Sequence, residues 1–145
     1  MAAKPKMLIA EDSDTLSMVY KKMFEREFDV TLTRGRAEAF SIVDQQGPFD
    51  ICIIDLIMPP EKKGADVMKT GIRLLRHIIG QEKSSRFLIL TVRWDAEKQV
   101  KKAVGSRATY RLLLKQSTEP DEITKHVRAL TAGCWLTRRP RGRQR

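Results

Sequence analysis

Short apolar runs alternate with amphipathic segments along almost the whole chain, and this alternation constrains the fold more than any other feature. A short continuous apolar run suits a strand buried on both faces. A longer segment with apolar residues three and four apart suits a helix with one buried stripe. Five such pairs follow one another. Strands are expected at residues 7–10, 29–33, 49–55, 87–91 and 110–114, and helices at about residues 15–27, 37–44, 71–80, 96–104 and 120–130. In the first helix Met18, Val19, Met23 and Phe24 recur at helical spacing, and Ser13 or Asp14 can cap its open amides. Ile72, Leu75 and Ile79 form a stripe on the third. Pro120 suits the first position of the fifth, just after Thr118 and Glu119. Repeated strand and helix units predict an α/β fold, an open doubly wound parallel sheet with helices on both faces.

Two stretches depart from the rhythm. Residues 56–70, with Met58, Pro59, Pro60 and Gly64, make a connection longer than such units need, so it is either functional or mobile. Residues 133–145 hold five arginines (Arg138, Arg139, Arg141, Arg143 and Arg145) and no acid, half of the net charge of +10. The expected division is one domain over residues 1–131 and a basic, flexible tail over 132–145. No apolar run approaches the roughly 20 residues of a membrane span, and residues 1–6 lack the apolar core of a secretory signal. A cytoplasmic location is expected. Cys52 and Cys134 show no metal-ligand spacing and are read as free thiols.

In a doubly wound sheet the ligand site lies beyond the carboxyl ends of the strands. Those ends carry Glu11 with Asp12, then Asp55, Thr91 and Lys115. Clustered carboxylates repel one another and raise each other's pKa unless a cation is present. Mg2+ suits such a set, since it takes oxygen ligands, keeps several waters and is commonly shared with phosphate oxygens. Asp55 can then act as a nucleophile in phosphoryl transfer, with the Thr91 hydroxyl and Lys115 on the phosphoryl oxygens. Singly these residues have plainer readings. An acid after a strand often caps a helix, a threonine is an ordinary strand residue, and a lysine is usually a solvated charge. Asp55 is different, because it follows Ile51, Cys52, Ile53 and Ile54 and needs a partner in a buried strand.

The stretches Met7-Leu-Ile-Ala-Glu-Asp-Ser-Asp-Thr, Phe49-Asp-Ile-Cys-Ile-Ile-Asp-Leu-Ile-Met-Pro, Leu88-Ile-Leu-Thr and Leu112-Leu-Leu-Lys resemble the receiver domain of two-component response regulators, of the stand-alone chemotaxis-regulator type. The resemblance covers residues 7–131 and implies a flavodoxin-like sheet of strand order 2-1-3-4-5. It implies that Asp55 is the phosphoacceptor and that Glu11, Asp12, Asp55 and the backbone carbonyl of Ile57 hold Mg2+. Thr91, Val92 and Lys115 would then meet the phosphoryl group. It further implies a phosphohistidine donor on a sensor histidine kinase or phosphotransfer protein, and a downstream protein target. Three positions depart from the family pattern. Val92 stands where a small residue is usual, which predicts slow phosphorylation by small donors, and Gln116 stands where proline is common, which favours a trans bond after Lys115. An aromatic usual three residues before the lysine is replaced by Leu112. Tyr110 sits about 7 Å too early along its strand to substitute, so any switch is expected to run through Thr91 and residues 92–104.

Three other functions fit parts of the sequence. A pseudo-receiver acting only as an interaction module fits the departures at Val92 and Gln116 but not the complete acidic set. An aspartate-nucleophile phosphatase would want an acid at the position of Ile57, so an enzyme is not expected. Nucleic-acid association through the arginine-rich tail is the third, with a solvated terminal extension the preferred reading. His77 and His126 are expected on helices away from the rim.

Overall fold

The computed structural model describes residues 3–56, 67–81, 86–91, 96–115 and 118–132. Strands β1 (Lys6–Ala10), β2 (Asp29–Thr33), β3 (Ile51–Asp55), β4 (Arg86–Thr91) and β5 (Thr109–Leu114) alternate with helices α1 (Asp14–Phe24), α2 (Arg36–Gln46), α3 (Val67–Ile79), α4 (Glu97–Val104) and α5 (Pro120–Thr131). The five strands form one parallel sheet in the order β2-β1-β3-β4-β5, the expected flavodoxin-like arrangement.

Side-chain alternation divides the core into two layers. Leu8, Cys52, Ile54, Phe87 and Ile89 face α2, α3 and α4 on one side of the sheet. Met7, Ile9, Ile51, Ile53, Leu88 and Leu90 face α1 and α5 on the other. All five residues of β3 are buried, as its unbroken apolar run requires of a central parallel strand. β5 is an edge strand, and Tyr110, Leu112, Leu113 and Leu114 are half-buried.

Ends of elements differ from the sequence reading where tertiary contacts decide them. α1 begins at Asp14 with Ser13 as its cap, whose Oγ accepts from Leu16 N–H at 3.2 Å, and stops at Phe24 rather than residue 27. Phe24 and Phe28 are both buried and meet edge to face, so the chain turns there to bring Phe28 under the sheet. α3 begins at Val67, four residues before the expected Gly71, so part of the long connection is helix. α5 opens as expected on Pro120, with Glu119 and Glu122 forming a reciprocal capping box. Ile57, Val92, Gln116 and Cys134 lie outside the described residues, as does the tail from residue 133. Among the described residues no helix is long and apolar enough to cross a membrane.

Candidate functional site

Four strand ends converge on one rim. Glu11 and Asp12 follow β1, Asp55 closes β3, Thr91 closes β4 and Lys115 follows β5. Backbone ladders continue past the strands and hold these positions. Glu11 N–H donates to the Thr33 carbonyl at 3.0 Å and Leu56 N–H to the Leu90 carbonyl at 2.9 Å. The register pairs Asp55 with Leu90 and Thr91 with Leu114, so the aspartate, threonine and lysine stand at neighbouring levels on adjacent strands.

α1 buttresses the acidic pair. The Ser17 hydroxyl donates to the Glu11 carbonyl at 3.2 Å, and Ser13 N–H donates to Glu11 Oε2 at 3.1 Å. Glu11 is thus gripped by backbone and side chain from the turn that starts the helix.

Glu11 is 1% exposed and Asp55 3%. Two buried carboxylates demand a counter-charge, and Lys115 supplies it. Its Nζ donates to Asp55 Oδ2 at 2.7 Å and to Glu11 Oε2 at 2.9 Å. Burial pushes the Glu11 carboxyl up to about 7, and the charge of Asp55 adds to that, against the bonds from Lys115 and Ser13. Burial works to lower the Lys115 ammonium, but its bonds to Asp55 and Glu11 outweigh it and hold the group above its ordinary range. Tyr20, on the adjacent turn of α1, is raised by burial and then by the charge of Glu11.

The other oxygen of Glu11, Oε1, is buried with no hydrogen-bond partner among the described residues. A buried carboxylate oxygen without a partner is costly, and carboxylate oxygens of Glu11, Asp12 and Asp55 all lie within 4.8 Å of one another. Asp12 is exposed, so the cluster opens to solvent. An all-oxygen donor set with an orphaned oxygen and an open side suits a hard divalent cation.

The rim therefore unites Glu11, Asp12, Asp55 and Lys115, with Thr91 beside them. The histidines lie elsewhere: His77 Nε2 pairs with Asp44 Oδ1 at 2.6 Å, and Arg111 donates to His126 Nδ1 at 3.3 Å. Sequence reasoning missed three supporting residues. Ser17 and Tyr20 carry no separate signal, being ordinary positions on the buried face of α1. Gly71 does carry one, since glycine inside a helix costs about 1 kcal/mol against alanine and usually marks a close approach. A Cβ there would lie 2.2 Å from the Leu56 carbonyl oxygen, one residue beyond Asp55.

Comparison with known proteins agrees with this geometry. The family model described as response regulator receiver domain matches residues 7–128. Among solved structures, the chemotaxis protein CheY4 of Vibrio cholerae is 26% identical, with a TM-score of 0.68 over 88% of this chain and 99% of that one. The receiver domain of a Francisella response regulator is 25% identical, with a TM-score of 0.66 over 88% and 96%. The Thermotoga maritima response regulator TrrA, solved in complex with Mg(2+)-BeF, is 20% identical, with a TM-score of 0.63 over 87% and 98%. No curated protein matches the chain.

Proposed function

Because the chain belongs to the response regulator receiver family, we propose that it takes a phosphoryl group from a phosphohistidine donor onto Asp55 and signals the change to a partner protein. Receiver domains are signalling modules that work with histidine kinases or phosphotransfer proteins and with downstream targets. The observation that carries the reading is Asp55 itself, buried at the end of β3 and bonded to Lys115 at 2.7 Å, beside the unsatisfied Oε1 of Glu11.

In the proposed reaction a carboxylate oxygen of Asp55 bonds to phosphorus as the nitrogen–phosphorus bond of the donor breaks and its imidazole leaves. Lys115 turns from the Asp55 carboxylate to a phosphoryl oxygen, and the Thr91 hydroxyl donates to another. Glu11, Asp12, Asp55 and the Ile57 carbonyl are the residues that would hold Mg2+. When bound, the ion supplies charge neutralisation for the carboxylates and the transferred group.

A small phosphodonor with Mg2+ is expected to add a single phosphoryl group, read by intact-mass analysis, and Asp55→Asn is expected to add none. No adduct from either a small donor or a phosphohistidine protein would overturn the proposal and leave a pure interaction module.

Mg2+ is expected to raise the melting temperature of the native protein by mass action, and Asp12→Ala to remove that rise. The effect should grow from pH 6 to pH 8. With Glu11 raised to about 7 in the absence of the ion, binding at the lower pH must first expel a proton. An equal shift in both proteins, or no growth with pH, counts against the assignment.

An aspartyl phosphate brings roughly −1.5 to −2 charges to the rim, which draws Thr91 and Lys115 inward. Tyr110 pairs with Phe87, four residues before the Thr91–Leu114 level, so it stands too far down β5 to follow Thr91. The response should pass through Thr91 and residues 92–104. Amide exchange with a phosphate mimic should be blunted in Thr91→Ala and normal in Tyr110→Ala, and the reverse pattern would sink this account.

A further inference from the structure

The surface formed by α3 and α4 differs in charge from the face covered by α1 and α5, while α2, beside α3, carries the acids Glu38 and Asp44. On α1 and α5 the charges are mixed, with Asp14, Lys21 and Lys22 on the first and Asp121, Glu122, Lys125 and Arg128 on the second. On α3 and α4, side by side on the opposite face, the exposed basic residues among those described are Arg73 and Arg76, then Lys98, Lys101 and Lys102. Glu97 is the single acid among the described exposed residues of these two helices. None of the five cations makes a side-chain hydrogen bond or ion pair with a described residue. The nearest acid on α2, Asp44, is already committed to His77.

A solvated stripe is the ordinary reading of charge on one helix. Here two helices from separate parts of the chain carry the same bias onto one surface, where the cations repel one another, and only Arg76, Lys101 and Lys102 gain from lying in the last turns of their helices. Helix geometry sets them close together. Residues three apart are about 5 Å apart along an axis, and packed helices lie about 8–10 Å from each other. Duplex nucleic acid offers one charge per about 1.7 Å of its axis, so several phosphates fall within reach of such a patch.

The surface also discriminates among anionic partners. Protein partners are usually held by aromatic or apolar anchors, yet the only exposed large hydrophobics among the described residues are Met18 and Val19, both on α1 on the other face. A single strand would stack its bases on exposed aromatics. Phe40 and Tyr110 are half-buried against the core, and the other described aromatic residues are buried. A phosphate backbone asks only for charge.

We infer that the α3–α4 face docks the phosphate backbone of duplex nucleic acid without reading its sequence. This stands apart from the chemistry at Asp55. The test is fluorescence anisotropy of a short mixed-sequence DNA duplex with the full chain over a salt series. Binding is expected to weaken steeply with salt. The triple substitution Lys98→Gln, Lys101→Gln, Lys102→Gln should lower affinity at least about tenfold and flatten the log–log salt slope by about 0.9 for each phosphate no longer neutralised. Arg73→Gln with Arg76→Gln should act in the same direction. Both variants should keep the melting temperature of the wild type, which shows that they are folded. The arginines of residues 133–145 remain in every protein compared, so variants that bind like wild type would assign the affinity to the tail and overturn the inference. It is equally overturned by no duplex binding at low salt, or by preference for single strands or for vesicles containing phosphatidylglycerol.

Discussion

Gly71→Ala should destabilise the protein by about 2–3 kcal/mol, although alanine favours a helix over glycine by about 1 kcal/mol. Gly71 lies inside α3, and a methyl group there would sit 2.2, 2.7 and 2.8 Å from the carbonyl oxygen, Cα and carbonyl carbon of Leu56. These are backbone atoms. Leu56 cannot retreat freely, because its N–H is bonded to Leu90 at 2.9 Å and it directly follows Asp55. Either α3 lifts off the sheet, opening space around Leu74, Leu75 and Ile78, or the end of β3 shifts. The melting temperature should fall by roughly 10 °C for a chain of this size, and Mg2+ and phosphoryl uptake should weaken as Asp55 moves. Gly80→Ala is the control, since a Cβ there meets nothing closer than 3.4 Å. Equal stability of the two variants would show that the close approach is relieved cheaply.

Lys115→Met should produce the largest electrostatic effect. It leaves Glu11 and Asp55 buried without their shared ammonium, and removing one partner of a buried pair costs about 3–5 kcal/mol. The loss should depend on pH. Glu11 is already raised to about 7, and the substitution removes interactions with Lys115 that oppose this. A carboxyl raised in the folded state contributes stability that is fully present below its unfolded value of about 4.3. That stability is lost as pH rises through the folded value. Lys115 is raised as well, so its own contribution in the wild type is intact below its ordinary value of 10.5 and constant across this window. Denaturant midpoints in a chelator should therefore differ at pH 5, where the Lys115–Asp55 pair is lost, and differ more at pH 8, where Glu11 is charged as well. A gap of the same size at both pH values would mean that Glu11 does not change its charge in this window.

Much of this site is legible without any coordinates. Asp55 can be singled out because an acid after four apolar residues cannot be left alone in a central strand, and Glu11, Asp12, Thr91 and Lys115 follow from their places at strand ends. The supports are less legible. Ser17 and Tyr20 look like any polar or aromatic residue on an amphipathic helix until α1 is laid against β1. Gly71 reads from the sequence as the start of a helix, because periodicity records which face is apolar and says little about how near another backbone will come.

The order of strands and helices, the two-layer core and the rim on which the acids meet were determined by the sequence itself. They depend on local periodicity and on the topological rule for parallel sheets, both of which act over short stretches of chain. Only the tertiary structure decided which oxygen of Glu11 takes Lys115 and which is left over. It also decided that α3 starts a turn early so that Gly71 can lie on Leu56, and that the cations of α3 and α4 share one surface. Each of these joins residues far apart in the chain, and each turns on distances between elements that no pattern of residue types encodes.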